Sequence, residues 1–389
     1  MKFGSSRAVR CAMGSMIVCL LGVSCARSQA VKPGTHQKPI MSQDAFKNVQ
    51  VLRGIPVNEF MATMGFFSAS LNLNCIDCHV KESAGNWARY ADDTPLKQTA
   101  RRMVVMEDLI NRGDFGAMRK VTCYTCHRGY QIPDVTPSLA EEYGAPPPTD
   151  PDLVRVIPRR PQSPAAAEQI LDKFIQVLGG AQRLSRLKSF TAKGTYSGFD
   201  TGFIKVATEI YAKAPNQLTV TNQLAGGPAI TTYDGSEAWV ASSDKPLPLI
   251  ELTGGDLDGA RLDAELSFPA MLKQDLSHWH VGFPPVTIDG HNVEVVEGTA
   301  AGGTRVKLYF DKDSGLLIRQ ARFIDTVLGF TPMHIDYSDY REVDGVKMPF
   351  QWTATWVDGQ STTVLTSVQP NAAVAADKFV RPAVSTSER

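Results

Sequence analysis

The sequence predicts a multidomain chain, mainly α in its first third and α+β with an antiparallel sheet over residues 165–389. Three observations carry this expectation. Between Pro56 and Gly113, apolar residues recur at three- and four-residue steps, the period of a helix face. Between Gln131 and Pro164 stand nine prolines, a density that forbids a packed helix or central strand and favours an extended spacer. Beyond Pro164, β-forming runs alternate with turn signals such as Lys312-Asp-Ser-Gly315 and Val343-Asp-Gly-Val346.

The composition suits a chain that buries a real core: 43% of the 389 residues are hydrophobic and 21% charged. Forty basic residues balance forty acidic ones, so net charge gives no reason to expect nucleic acid as a partner. Any electrostatic steering must come from local patches.

Residues 1–30 read as a signal peptide. Lys2, Arg7 and Arg10 precede an apolar run from Cys11 to Val23 that is too short for a membrane span, and cleavage is expected after Ala30, with Ala26 competing. A lipid anchor on Cys25 is the alternative, although Gly22 stands where a lipoprotein box usually has leucine. The expected location is therefore the periplasm or another extracytoplasmic space. Residues 31–47, with Pro33, Gly34 and Pro39, form a polar lead-in.

Removing that leader takes Cys11, Cys19 and Cys25 with it, and the remaining thiols are Cys75, Cys78, Cys123 and Cys126. All four belong to two Cys-x-x-Cys-His runs, ending in His79 and His127. This spacing is the attachment signature of c-type haem, in which two thiols form thioethers and the histidine binds iron. Two runs imply two covalently attached haem c groups. A redox dithiol would not require the histidines, and paired zinc ligands at this spacing suit the cytosol better than an exported chain.

Taken in order, Pro56 opens a first helix whose apolar face is Val57, Phe60, Met61, Met64, Phe67 and Leu71, with a break at Asn72. Residues 80–93 read as a loop carrying Trp87 and Tyr90. Thr94 and Pro95 start a second helix that stops at Gly113, with Leu96, Ala100, Met103 and Ile110 on its inner stripe and Met106 at the margin. Residues 48–133 thus form the expected di-haem domain, 134–164 the proline-rich linker, and 165–389 the sheet domain. The latter opens with an amphipathic helix closed by Gly179 and Gly180, continues as strands, and is interrupted by a helix across residues 255–276.

A sixth ligand decides what such iron can do, because a thioether opposite histidine gives an electron carrier and an open site permits peroxide chemistry. The pattern offers Met61 or Met64 for the first haem and Met103 or Met106 for the second. Methionines also fill core gaps, and the spacing alone does not separate the two roles.

Residues 48 to about 133 resemble the photosynthetic reaction-centre cytochrome c subunit family through "MGFFSASLNLNCIDCHV", "DTPLKQTARRMVVMEDLIN" and "VTCYTCHRG". The resemblance implies that each helix presents an axial methionine to the haem of the following motif, which points to Met64 and Met103, with Met61 and Met106 as alternates. Well-known members carry four haems in two halves; this chain has one such half, and no histidine lies between Asn111 and Val121 to serve a further haem. "YDGSEAWV", "LYFDKDSGLLIRQ" and "DYSDYREVDGVKMPF" loosely resemble the half-barrel of periplasmic lipoprotein-carrier proteins, which implies an acyl or protein ligand on the sheet.

The expected function is electron transfer by an exported di-haem cytochrome, without bond-making catalysis. Its partners would be redox proteins, with a membrane-associated complex among them. Two alternatives are a peroxidase-like enzyme with one labile distal ligand, and a lipid- or partner-binding sheet protein that tethers a cytochrome domain. Arg101, Arg102, Arg119, Lys120 and Arg128 are candidates for haem propionates or a docking rim. His278 and His280 alternate on one strand face without a third metal ligand nearby.

Overall fold

Pro56, at φ −59°, precedes the first long helix, α1 (Val57–Leu71), and Asn72 ends it in the left-handed region at φ 53°, where a short amide side chain is tolerated. These boundaries belong to a computed structural model that describes residues 38–145, 152, 164–275, 277–282 and 286–383. The expected signal peptide, Cys25, the start of the lead-in and all of residues 146–163 but Asp152 lie outside the described residues.

The second long helix, α2 (Pro95–Asp114), begins as the sequence indicates: the Thr94 hydroxyl accepts from the Lys97 amide at 3.2 Å, and Pro95 takes the first turn, where no donor is needed. Between α1 and α2, the expected loop contains two 3₁₀ turns, Lys81–Ala84 and Trp87–Ala91.

Beyond α3 (Pro164–Val177) the chain forms a fourteen-stranded antiparallel sheet from two meanders. The first comprises β1 (Ser189–Gly198), β2 (Val206–Lys213), β3 (Gln217–Leu224), β4 (Gly227–Tyr233), β5 (Ala238–Ser242) and β6 (Leu249–Leu252). After α4 (Gly254–Ser267) come β7 (Ser277–Val281), β8 (Val286–Ile288), β9 (His291–Thr299), β10 (Arg305–Asp311), β11 (Leu317–Thr326), β12 (Gly329–Val343), β13 (Val346–Trp356) and β14 (Gly359–Pro370). β1 pairs with β14 and joins the meanders. The seam contains a bulge at Gly194, where a β-carbon would run into the backbone of Val364 and Leu365.

Alternation along β9 and β10 separates two apolar layers. Val296, Leu308 and Phe310 pack with Leu171 and Phe174 of α3 and Leu262 of α4, whereas Val295 and Tyr309 face the other side with Ala321 and Phe323. On that second side Asp152 is buried, accepting from the Tyr309 hydroxyl at 2.9 Å and from Arg319 at 3.1 Å, with His334 Nδ1 at 2.7 Å.

From Pro39 onward the chain is one compact unit. The helix α1 lies on the hairpin ends of the sheet: Phe66 shares an apolar cluster with Leu328 in the β11–β12 turn, and a β-carbon at Gly65 would meet Val357 and Asp358 between β13 and β14. At its other end Asn58 donates to the Thr253 carbonyl at 3.0 Å and to the Asp256 carboxylate at 2.8 Å, while its own carbonyl accepts from the Thr253 hydroxyl at 2.8 Å. Arg119 adds an ion pair with Asp325.

The buried faces of α1 and α2 differ from the sequence-predicted stripes. In α1 the fully buried residues are Val57, Asn58, Thr63, Gly65, Phe66 and Ser70, because small side chains let the helix approach the sheet; Phe60, Met64 and Phe67 are half-buried beside that contact. In α2 the buried residues are Val104, Glu107 and Asn111, one position round from the stripe through Leu96, Ala100, Met103 and Ile110, all half-buried. Two polar residues occupy that face because they hold the second Cys-x-x-Cys-His segment.

Candidate haem-binding site

Each Cys-x-x-Cys-His run is a single capped helical turn, which puts its two sulfurs on neighbouring positions of one face. In the first, the Asn74 side chain accepts from the Ile76 amide at 3.0 Å and the Asp77 carboxylate accepts from the Asn74 amide at 2.8 Å. Thr122 and Thr125 make the equivalent reciprocal pair in the second, at 3.2 and 3.0 Å. None of the four cysteines is in a disulfide; Cys75 and Cys126 are exposed, Cys78 and Cys123 half-buried.

The histidines are oriented alike. His79 Nδ1 lies 3.1 Å from the Tyr90 carbonyl and His127 Nδ1 lies 3.0 Å from the Tyr130 carbonyl. A carbonyl only accepts, so Nδ1 carries the proton in each ring and Nε2 keeps the lone pair a metal requires. Burial pushes the His79 pKa down, the Lys97 charge adds to this and the Tyr90 hydrogen bond partly opposes it. The neutral, ligating form is thereby favoured.

The surroundings of the first motif are built from the 3₁₀ turns and the start of α2. The Tyr90 ring lies 4.8 Å from the His79 ring, and Trp87 stacks on Tyr90 at 5.5 Å. The Thr94 hydroxyl donates to the Cys78 carbonyl at 2.6 Å. Lys97 Nζ donates to the Tyr90 carbonyl at 2.9 Å and to the Asp92 carbonyl at 2.6 Å.

The second motif is held by α2. The Asn111 side chain accepts from the amides of Lys120 and Val121 at 2.9 and 3.0 Å and donates to the Val121 carbonyl at 2.8 Å. Cys123 Sγ donates to the Glu107 carboxyl at 3.1 Å. Burial raises the Glu107 pKa to about 7; burial and the neighbouring carboxyl push the Cys123 thiol up as well. Asn111 and Lys97 were missed as site residues from the sequence, which marked Tyr90 only as an aromatic of the loop and not for its carbonyl. Only the Thr94-Pro95 helix start signalled that this stretch positions anything.

Met64 packs against the same apolar cluster as Cys123 and Val104, and Met103 is half-buried, while Met61 and Met106 are 51% and 45% exposed. Of the cationic candidates, Arg101 pairs with Asp93 at 2.8 Å, Arg102 donates to Thr99 at 2.9 Å and Arg119 pairs with Asp325. His280 Nε2 stands 3.5 Å from Glu297, and among the described residues no group of three metal-ligating side chains forms.

The residues present fit a covalently attached haem: free thiol pairs on single turns, each followed by a histidine whose Nε2 is left for iron. Large apolar side chains stand exposed at the motifs: Ile76 and Tyr124 lie within the two turns, and Trp87 stacks on Tyr90. These are surfaces a porphyrin would cover.

Residues 23–146 match the family model of the photosynthetic reaction centre cytochrome C subunit. This segment contains both motifs. The photosynthetic reaction center cytochrome c subunit of Thermochromatium tepidum is 39% identical over 97 residues, covering 24% of this chain and 22% of that protein. The corresponding subunit of Roseobacter denitrificans is 32% identical over 101 residues, covering 24% and 26%. The chain thus spans about a quarter of the length of these relatives.

Among solved structures, a LolA superfamily protein from Nitrosomonas europaea covers 55% of this chain and 97% of its own, at TM-score 0.38 and 14% identity. A DUF1329 family protein from Desulfovibrio piger covers the same shares at TM-score 0.40 and 12% identity. Among the described residues, no helix is long and apolar enough to cross a membrane.

Proposed function

We propose that this chain is an exported electron-transfer protein carrying two covalently attached haem c groups, one at Cys75, Cys78 and His79, the other at Cys123, Cys126 and His127. The observation that carries the reading is the pair of histidines, each with Nδ1 on a backbone carbonyl within a Cys-x-x-Cys-His turn. The family match over residues 23–146 supports it. Met64 and Met103 are the proposed sixth ligands. Bound haem would supply one-electron chemistry, and the protein would supply ligands, orientation and burial.

Redox proteins are the proposed partners, a membrane-associated complex among them. For the sheet we favour a scaffold role. The face of β9 and β10 that carries Leu308 and Phe310 is filled by side chains of α3 and α4, and α1 rests on the hairpin ends.

Intact mass and haem quantification of the chain expressed with an export and haem-attachment apparatus test the proposal. The expected product has lost its leader and carries two haems. A product with no covalent haem defeats the reading, and the same mass reports the cleavage site and any lipid.

A further inference from the structure

The two histidine clamps look alike and differ in one respect. The Tyr90 carbonyl that accepts from His79 also accepts from the Lys97 ammonium, at 2.9 Å. The Tyr130 carbonyl accepts from His127, and among the described residues no lysine or arginine joins it there. We propose that Lys97 is a positioning residue that sets the iron at His79 at a higher reduction potential than the iron at His127. This rests on the di-haem reading above.

Two effects of the same sign support it. A carbonyl already engaged by a cation is a weaker acceptor for the imidazole N–H, so the His79 ring keeps less anionic character and stabilises the oxidised metal less. The ammonium is also a fixed positive charge beside the ligand, which disfavours the more positive oxidation state. Half-burial of Lys97 limits the screening of that charge.

Neighbouring carboxylates are otherwise occupied. Asp92 pairs with Arg89 at 2.9 Å and Asp93 with Arg101 at 2.8 Å; both carboxylates lie within electrostatic reach of Lys97, but neither forms an ion pair with it. The ammonium is instead held by two backbone carbonyls, of Tyr90 and Asp92. Lys97 sits one turn into α2, whose Thr94 cap also grips the Cys78 carbonyl. Its position is therefore fixed by the element that supports the first motif.

The test is a spectroscopic redox titration of the full-length holoprotein, its Lys97→Met and Lys97→Arg variants, with haem counted in each. Two midpoints are expected in the wild type. In Lys97→Met the higher one should fall by at least tenfold in equilibrium constant, about 59 mV for a one-electron couple, with the lower one unmoved, and Lys97→Arg should restore most of the difference. Two haems present with the higher midpoint unchanged in Lys97→Met would overturn the assignment, as would an equal shift of both. A wild-type chain with fewer than two haems would instead overturn the di-haem reading, and this assignment with it.

Discussion

The Phe66 ring of α1 lies directly over Gly329, where β12 begins, so closely that a β-carbon at 329 would overlap the ring. The contact joins the helical segment that carries Met64 to the end of the β11–β12 hairpin, and Leu328 and Val104 pack beside it. Gly329→Ala should therefore push α1 away from the sheet and destabilise the protein by about 1–3 kcal/mol, the usual range for overpacking a filled site. Phe66→Ala should cost about 3–5 kcal/mol through the cavity it leaves. In the double variant the two losses should be less than additive, since the clash disappears with the ring. Urea unfolding checks this, and additive losses would show that the residues do not share one contact.

That contact was not legible in the sequence, although much around it was. Pro56, Asn72, Thr94 and Pro95 marked helix ends because caps and φ restrictions are local. The strand pattern from Ser189 to Pro370 was readable for the same reason: alternation and Asp-Gly turns act within a few residues. The faces of α1 and α2 were read one step off, since apolar periodicity identifies large side chains, whereas α1 buries Thr63, Gly65 and Ser70 against a distant surface. Polar clamps such as Asn111 were equally hidden. Nothing in an isolated asparagine shows that three backbone groups ten residues on will converge on it.

Asn111 predicts a separable effect on the second motif. Its side chain satisfies two amides and a carbonyl at Lys120 and Val121, immediately before Thr122 caps the Cys123 turn. Asn111→Ala would leave buried or half-buried backbone groups unpaired, at about 1–3 kcal/mol for each one not rescued by water. The expected outcome is haem at the first motif and reduced occupancy at the second, read by peptide mass mapping of the two motif peptides. Equal loss at both motifs would mean that Asn111 supports the whole helical segment instead.

Asp152 gives a pH dependence whose direction follows from its partners. Burial alone would raise its pKa, but the His334 hydrogen bond, the Arg319 charge and the Tyr309 hydroxyl hold the carboxyl below the ordinary aspartate range. A depressed carboxyl contributes stability that is fully present above the unfolded-state pKa, near about 4, and is lost as pH falls through the folded-state value. Asp152→Asn should therefore be destabilised by about 3 kcal/mol at pH 7, the low end for breaking a buried ion pair. The gap between variant and wild type should narrow as the pH is taken below about 4. Urea titrations across that range measure it, and a gap of constant size would show that Asp152 acts through packing and not through its charge.

Met64 and Met103 are where the proposed function is most exposed to test. A thioether opposite each histidine would close the coordination sphere and raise the potential. Met64→Ala and Met103→Ala should then each lower one midpoint and allow carbon monoxide to bind one reduced haem, while wild type binds little. Both methionines are half-buried, so each variant should also lose about 2 kcal/mol or more of stability, which by itself moves neither the spectrum nor ligand binding. If Met64→Ala leaves the spectrum unchanged and Met61→Ala alters it, the first ligand lies one turn earlier on α1, on the face that is 51% exposed at Met61. Rapid carbon monoxide binding by the unmodified protein would favour the labile-ligand alternative, because an electron carrier with two closed coordination spheres has no position to offer.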